Sequence, residues 1–156
     1  MVEKKRSYFT ISGDSDYMKR RWFLVLGIFL IISQLTVRAA FGLPAPSESS
    51  AIATFVITGS AGILFVIGGT GKQVGPATWN QFIGAADLLL GLMFVLGVVF
   101  PIWNSTSPYE SSIQPFLAVA AIGGGASLMF IGIDWVRGGH YFDLSSYEPG
   151  PILSRG

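Results

Sequence analysis

The sequence predicts an all-α integral membrane protein, a bundle of four transmembrane helices with both termini in the cytoplasm. Three observations favour this fold class. Hydrophobic residues make up 51% of the 156 residues and charged residues only 12%, whereas soluble domains average about 25% charged residues. Four long apolar runs follow one another along the chain. Nearly all basic residues fall on one side of these runs when the connecting loops are assigned alternately to the two sides.

The polar segment before the first apolar run is predicted to be a cytoplasmic tail, residues 1–21. It is either solvated or lies on the membrane surface or on a neighbouring subunit. The stretch from Ser12 to Asp16 is typical of a turn, and Asp16 is suited to cap a helix that begins near Tyr17.

The first span covers about 22–42 and contains two polar side chains, Gln34 and Arg38. Arg38 lies about 24 Å along the helix axis from Trp22. We therefore expect its side chain to snorkel to the far membrane interface. A bridge from Arg38 to another helix or subunit is the alternative.

The second span covers about 51–69 and follows a short loop rich in proline and serine. Ser49 or Ser50 is predicted to cap its N-terminus. Gly59 and Gly62 near its centre leave a groove in which another helix backbone can approach closely.

The third span covers about 80–103 and is almost wholly apolar between Trp79 and Trp103. The 24 steps between these tryptophans make roughly 36 Å, enough to cross a hydrocarbon core of about 30 Å. Asp87 lies inside this span, where a carboxylate is costly unless it is paired, protonated or facing water. Gly84 and Gly91 lie on roughly its face of the helix, so a neighbouring helix can approach it.

Asp87 is the strongest candidate functional residue in the chain, and three interpretations of it stay open. Asp87 joins helices of the bundle as a protonated or hydrogen-bonded polar group, forms a salt bridge to another subunit, or takes part in a proton or cation relay. Possible partners within this chain are hydroxyl groups on the second and fourth spans, from Thr54, Thr58, Ser60 and Ser127.

The fourth span covers about 115–136, and three consecutive glycines lie at its centre, Gly123, Gly124 and Gly125. In a membrane such residues permit tight helix contact. We expect ordinary packing within the bundle here, with a cofactor or lipid tail in the glycine notch as the alternative. Comparison of the first two spans with the last two gives no convincing internal duplication.

The distribution of basic residues predicts the orientation of the chain. Nine of its ten lysines and arginines fall on the side of the termini, and Arg38 alone falls on the other side. By the positive-inside rule the termini are cytoplasmic and the location is a cell or inner membrane, crossed in several passes. Tryptophans near the span ends are the predicted interface anchors: Trp22, Trp79, Trp103 and Trp135.

The C-terminal tail, residues 137–156, contains prolines and aromatic residues. These residues favour neither a helix nor a fully solvated segment. We expect something to hold it in place. His140, the single histidine, is interpreted as an interfacial side chain, with contact to a pigment, lipid or metal as the alternative.

Composition also excludes several chemistries. The chain has no cysteine and one histidine, so it cannot by itself supply a disulfide, an iron–sulfur cluster or a bis-histidine haem site. We expect no cofactor bound by this chain alone and no metal site. Lipids are expected ligands, and a pigment or carotenoid stays open. The basic clusters flank a span and fit anionic lipid headgroups better than nucleic acid.

These observations favour a non-catalytic accessory or structural subunit of a larger integral membrane protein complex, of energy-transducing or oxygenase type. The expected partners are larger membrane subunits and lipids. Such a subunit is no enzyme itself but can belong to an enzyme complex whose catalytic residues lie elsewhere. A small oligomeric channel or carrier that uses Asp87 is the alternative. An intramembrane enzyme is the weakest hypothesis, because a base near a nucleophile and paired carboxylates are lacking.

Overall fold

Each apolar run forms one long α-helix. A computed structural model of the chain describes residues 13–45, 48–71, 74–103, 110–144 and 147. In these residues the helices are α1 Gly13–Phe41, α2 Ser49–Thr70, α3 Trp79–Trp103 and α4 Gln114–Val136. Each has a stretch long and apolar enough to cross a membrane, which in α1 is Arg20–Phe41. The prediction of an all-helical chain with four such helices is confirmed.

Two local predictions are wrong. Gly13 to Asp16 are helical, although a turn was expected there; an acidic residue is also favourable in the first turn of a helix. Ser12 lies outside the described residues. At α2 the N-cap residue is Glu48, and no side chain caps the helix. The Glu48 carboxylate instead accepts a hydrogen bond from the N–H of Ala45 at 3.2 Å.

The helices alternate in direction, and each packs extensively on the next one along the chain. The α1–α2 contact shows the antiparallel arrangement, since Gly27 lies against Gly62 whereas Leu24 lies against Gly69. The start of α1 and the end of α4 therefore lie at the same end of the bundle, which we call the tail end. The opposite end, where α1 is followed by α2 and α3 by α4, is called the loop end.

Glycines set the closest approach of α3 and α4. A Cβ built on Gly91 would lie 2.5 Å from the carbonyl oxygen of Gly125, and one on Gly84 would lie 2.5 Å from that of Gly132. On both helices the two glycines are one heptad apart. A heptad repeat keeps one seam of each helix facing the other when the pair coils left-handedly. The α3–α4 contact is therefore a close, backbone-to-backbone seam.

The two helical hairpins pack in the same way, although their sequences show no convincing duplication. In the first, Gly27 faces the carbonyl of Gly62 and the N–H of Val66; in the second, Gly91 faces the carbonyl of Gly125 and the N–H of Met129. The offset in residue number that takes Gly27 to Gly91 also takes Leu24 to Leu88 and Ile31 to Val95, and the offset that takes Gly62 to Gly125 also takes Gly69 to Gly132. The Leu24–Gly69 contact of the first hairpin therefore corresponds to Leu88–Gly132 in the second, and Ile31–Gly62 corresponds to Val95–Gly125. The halves thus share one packing scheme, and it places Asp87 where the first hairpin has Phe23.

The buried hydrophobic core lies toward the tail end of the bundle. Much of the outer surface of the bundle is apolar as well. Phe65 and Ile83 are the largest fully buried side chains. By contrast, Phe29 is 63% exposed and Phe116 is 76% exposed, and they are two among many large apolar side chains on the outside. Soluble monomers rarely expose contiguous apolar surface of this extent. Helix length and composition thus suggest a membrane protein.

Candidate functional site

Aromatic side chains from all four helices and the C-terminal tail meet at the tail end. The members of this aromatic cluster are Phe23, Phe65, Trp79, Trp135 and Tyr147. Phe23 stacks on Phe65 with ring centroids 6.0 Å apart, and Trp135 meets Phe23 and Tyr147 at 5.3 Å each. Trp79 completes the cluster at 6.1 Å from Trp135. The stacked and edge-to-face pairs among the helix residues are favourable beyond the apolar area they bury. Tyr147 meets three of these rings at tilted angles, and these contacts tie the tail to the bundle.

Polar groups border the cluster. The guanidinium carbon of Arg20, a residue only 8% exposed, lies 5.8 Å from the centroid of the Trp79 ring. Asn80 donates a side-chain hydrogen bond to the backbone carbonyl of Trp135 at 2.7 Å. That carbonyl lies in the last turn of α4 and also accepts a hydrogen bond from the N–H of Gly138 at 3.0 Å. The start of α3 is thereby fixed to the end of α4.

The carboxylate of Asp134 holds the reversal of the chain after α4. Its Oδ1 accepts hydrogen bonds from the N–H groups of His140 at 2.8 Å and Tyr141 at 2.9 Å, and its Oδ2 accepts one from Phe142 at 3.0 Å. The chain reverses through Gly138 and Gly139, whose φ angles of +97° and +74° favour glycine. Asp134 is 3% exposed, so this acid is a buried anchor of the tail.

The described part of the tail, residues 137–144 and Tyr147, is therefore held by contacts within its own chain. Leu144 is buried in the core together with Trp135. His140 itself is exposed, and its ring meets the edge of Tyr141 at 5.0 Å. It borders a cavity of about 160 Å³ beside Asp134 and Arg137. Among the described residues no three histidine, aspartate or glutamate side chains cluster as metal ligands would.

Asp87 is buried in α3, with 8% of its surface exposed. Within the part of the chain that the structure describes, no hydrogen bond or ion pair reaches its carboxylate. Ser127, one expected partner, donates to the carbonyl of Gly123 at 2.8 Å instead. Thr58 is buried as well, but no hydrogen bond joins it to Asp87.

Gln34 and Arg38 lie one turn apart on α1, toward the loop end. The Oε1 atom of Gln34 and the Nε atom of Arg38 are both buried without a hydrogen-bond partner. The guanidinium carbon of Arg38 lies 5.3 Å from the centroid of the Phe55 ring, on α2. Phe55 lies in the loop-end half of α2, and Arg38 also borders a cavity at the loop end. Asp87 lies in the tail-end half of α3. Arg38 and Asp87 are therefore separate features.

The glycines singled out from the sequence fall into two groups. Gly62, Gly84, Gly91 and Gly125 lie at close helix contacts, where a Cβ would meet backbone or side-chain atoms of a neighbouring helix at 2.5–2.9 Å. Around Gly59, Gly123 and Gly124 a Cβ would meet no described atom within 4 Å apart from neighbouring residues and the backbone of its own helix. The second group is left open at the surface of this chain.

The tryptophans also divide. Trp22 is 68% exposed and Trp103 is 83% exposed, as an interface anchor requires. Trp135 is 5% exposed and Trp79 is partly buried, because both belong to the aromatic cluster. They therefore contribute to packing at the tail end.

Sequence reasoning missed the Asp134 anchor and the aromatic cluster. The anchor has one local signal in the sequence. Gly138 and Gly139 follow four and five residues after Asp134, which lies near the end of an apolar run. Glycines after a helix end indicate a reversal, and a nearby acid is a natural acceptor for the N–H groups that follow. The cluster has no local signal, since Phe23 and Tyr147 lie at opposite ends of the described chain.

Fold and site together define a helical-bundle protein with four helices apolar and long enough to cross a membrane and a C-terminal tail folded back on one end. The chain belongs to a family of unknown function, DUF7994, whose profile matches residues 18–148. That match includes all the elements of the aromatic cluster and the Asp134 anchor. No curated protein and no solved structure matches the chain.

Proposed function

We propose that this protein is a non-catalytic accessory subunit of a larger integral membrane protein complex. In this proposal its four helices cross the membrane with both termini in the cytoplasm. Of the basic residues that the structure describes, Arg20, Arg21 and Arg137 lie at the tail end. The alternating assignment of the loops gives that side nine of the ten basic residues of the sequence, and such an excess is typical of cytoplasmic segments. Arg38, the tenth, lies at the loop end.

The observation that carries the proposal is the open glycine surface of α4. Gly123 and Gly124 are exposed and have no described neighbour around the position of a Cβ. On the same helix Gly125 and Gly132 are already used for the contact with α3. Small residues at a helix surface in a membrane permit a second helix to approach closely. The unused glycines therefore favour a helix from another subunit at this surface.

Purification from cells in a mild detergent, at native abundance, tests the proposal. Larger membrane subunits are expected to co-purify with this chain. Gly124→Leu is expected to release them, because the new side chain fills the open surface. The isolated chain should stay folded, since leucine is a better helix former than glycine by up to about 1 kcal/mol.

The matched control is Ala40→Leu, a similar enlargement at an exposed position of α1. It is expected to leave the co-purifying subunits in place. Recovery of the natural chain as a monodisperse monomer would overturn the proposal.

A second candidate is a small oligomeric channel or carrier that uses Asp87. The observation that favours it is the buried carboxylate without a hydrogen-bond partner in the described chain. Ionisable groups inside membrane spans commonly mark ion or proton pathways. The shared packing of the two hairpins also fits this class, since parallel structural repeats occur in transporters.

Flux into liposomes that contain the purified chain separates the two candidates. A carrier requires that Asp87→Asn abolish flux while the protein still reconstitutes. An accessory subunit shows no flux in either form, and Asp87→Asn then alters at most its assembly with partners.

A further inference from the structure

A cavity of about 570 Å³ lies among the loop-end parts of α1, α2 and α3. Its lining includes polar groups from Arg38 and from Ser49 and Ser50 in the first turn of α2. Most of the remaining lining is apolar and includes Ile57 and Met93. Its volume falls within the range of about 300–1,000 Å³ that is typical of small-molecule sites.

Arg38 supplies a positive charge to this cavity and lacks an acceptor. Its Nε atom is fully buried and has no hydrogen-bond partner. No acid among the described residues forms an ion pair with it. The nearby Phe55 ring, 5.3 Å from the guanidinium carbon, offers only its π face. A buried N–H donor without an acceptor is unfavourable, and an anionic group in the cavity would supply the acceptor that this N–H lacks.

The start of α2 also adds positive potential to this cavity, because Ser49 and Ser50 line it. No side chain caps this helix, and its first turn contains no acidic residue. The nearest acid in sequence, Glu48, accepts a hydrogen bond from the N–H of Ala45 and is not part of the cavity wall. The first N–H groups of a helix lack partners within it and favour negative charge.

We propose that this cavity binds an amphiphile with an anionic head and an apolar chain. The head lies at Arg38 and the first turn of α2, and the chain lies along Ile57 and Met93. Charge complementarity specifies the head, and the apolar wall specifies the tail. A free fatty acid and an anionic phospholipid share this chemistry.

Quenching of tryptophan fluorescence by brominated acyl chains tests the proposal on the full chain in an uncharged detergent. The probe is 9,10-dibromostearate, and its uncharged match is the methyl ester. Trp103 lies two residues beyond Pro101, which lines the cavity, whereas the other three tryptophans are toward the tail end. Saturable quenching is expected with the acid, at a concentration about tenfold or more below that needed with the ester. Trp103→Phe is expected to remove most of this quenching.

Two variants locate the site. Arg38→Gln is expected to weaken binding of the acid about tenfold or more, whereas Arg38→Lys keeps the charge and most of the affinity. Arg21→Gln, which removes an exposed charge at the tail end, is the control. Ala53→Phe fills the cavity and is expected to weaken binding, whereas Ala120→Phe enlarges an exposed residue of α4 outside it.

Equal binding of the acid and its ester, or unchanged binding in both Arg38→Gln and Ala53→Phe with the helical circular dichroism preserved, would overturn the proposal. If Arg38→Gln does not fold, the ester comparison and Ala53→Phe decide the matter. Dibrominated phosphatidylglycerol and phosphatidylcholine then identify the source. If phosphatidylglycerol binds tightly and phosphatidylcholine does not, the ligand is an anionic membrane lipid. If the free acid binds and neither phospholipid does, the ligand is a fatty acid.

Discussion

Gly84 and Gly132 face each other across the α3–α4 seam, so that a Cβ built on either would lie 2.5 Å from the carbonyl oxygen of the other. The obstructing atoms belong to backbone, which cannot rotate away as a flexible side chain can. The distance between the two helices at this level is therefore set by the absence of side chains at both positions. The matching relation between Gly91 and Gly125 repeats this constraint one heptad along the seam.

We expect Gly132→Ala to destabilise the isolated chain. The added methyl group would force α3 and α4 apart, and overpacking of a close contact typically costs about 1–3 kcal/mol. Thermal unfolding in detergent, followed by circular dichroism, measures the effect. The matched control is Gly124→Ala on the same helix, where a Cβ meets open space. That change should be neutral or stabilising by up to about 1 kcal/mol; equal destabilisation by both variants would contradict the seam.

We expect Asp134→Asn to loosen the C-terminal tail. The carboxylate accepts three backbone hydrogen bonds, and a neutral amide accepts through only one oxygen. Tryptic cleavage after the exposed Arg137 should become faster, on the order of tenfold, because the segment opens more often. Mass spectrometry of timed digests measures the rate.

The control for this change is Glu110→Gln, which neutralises an exposed acid at the other end of the bundle. It should leave cleavage after Arg137 unchanged. Cleavage of Asp134→Asn at the natural rate would show that the aromatic cluster alone retains the tail.

We expect Asp87→Val to stabilise the isolated chain. Asp87 is 8% exposed and makes no hydrogen bond within the described residues. Replacing a buried polar group that lacks a partner with a compact apolar side chain removes an unfavourable burial, worth about 1–3 kcal/mol. Chemical or thermal unfolding in detergent measures the change. Destabilisation by more than about 1 kcal/mol would show that the carboxylate makes a stabilising contact within the single chain.

The helices could be predicted from the sequence because each span is one apolar run of the length that a bilayer requires. Trp79 and Trp103 bound the third run, and α3 begins and ends at these two residues. The start of α1 could not be predicted in this way, since the residues from Gly13 to Arg20 are mostly polar and no apolar pattern extends through them.

The contacts of the candidate site were harder to predict because they join residues far apart in sequence. The cost of burying Asp87 follows from its type and place alone, but the absence of a described partner depends on how α2 and α3 pack. Glycine content predicted close helix contacts without saying which glycines make them. Gly124 and Gly125 are adjacent in sequence, yet only Gly125 faces α3, because consecutive helical residues point about 100° apart.

We expect the termini to be cytoplasmic, and the chain is well suited to a direct test because it has no cysteine. Ser111→Cys places a thiol at an exposed loop-end position, and Thr70→Cys places one at an exposed tail-end position. Neither changes the charge pattern that sets the orientation. A membrane-impermeant maleimide should label Ser111→Cys in intact cells and Thr70→Cys only after the membrane is permeabilised, with the unsubstituted chain as the unlabelled control. The reverse pattern would place the termini outside, and labelling of both thiols in intact cells would contradict a membrane crossing between these two residues.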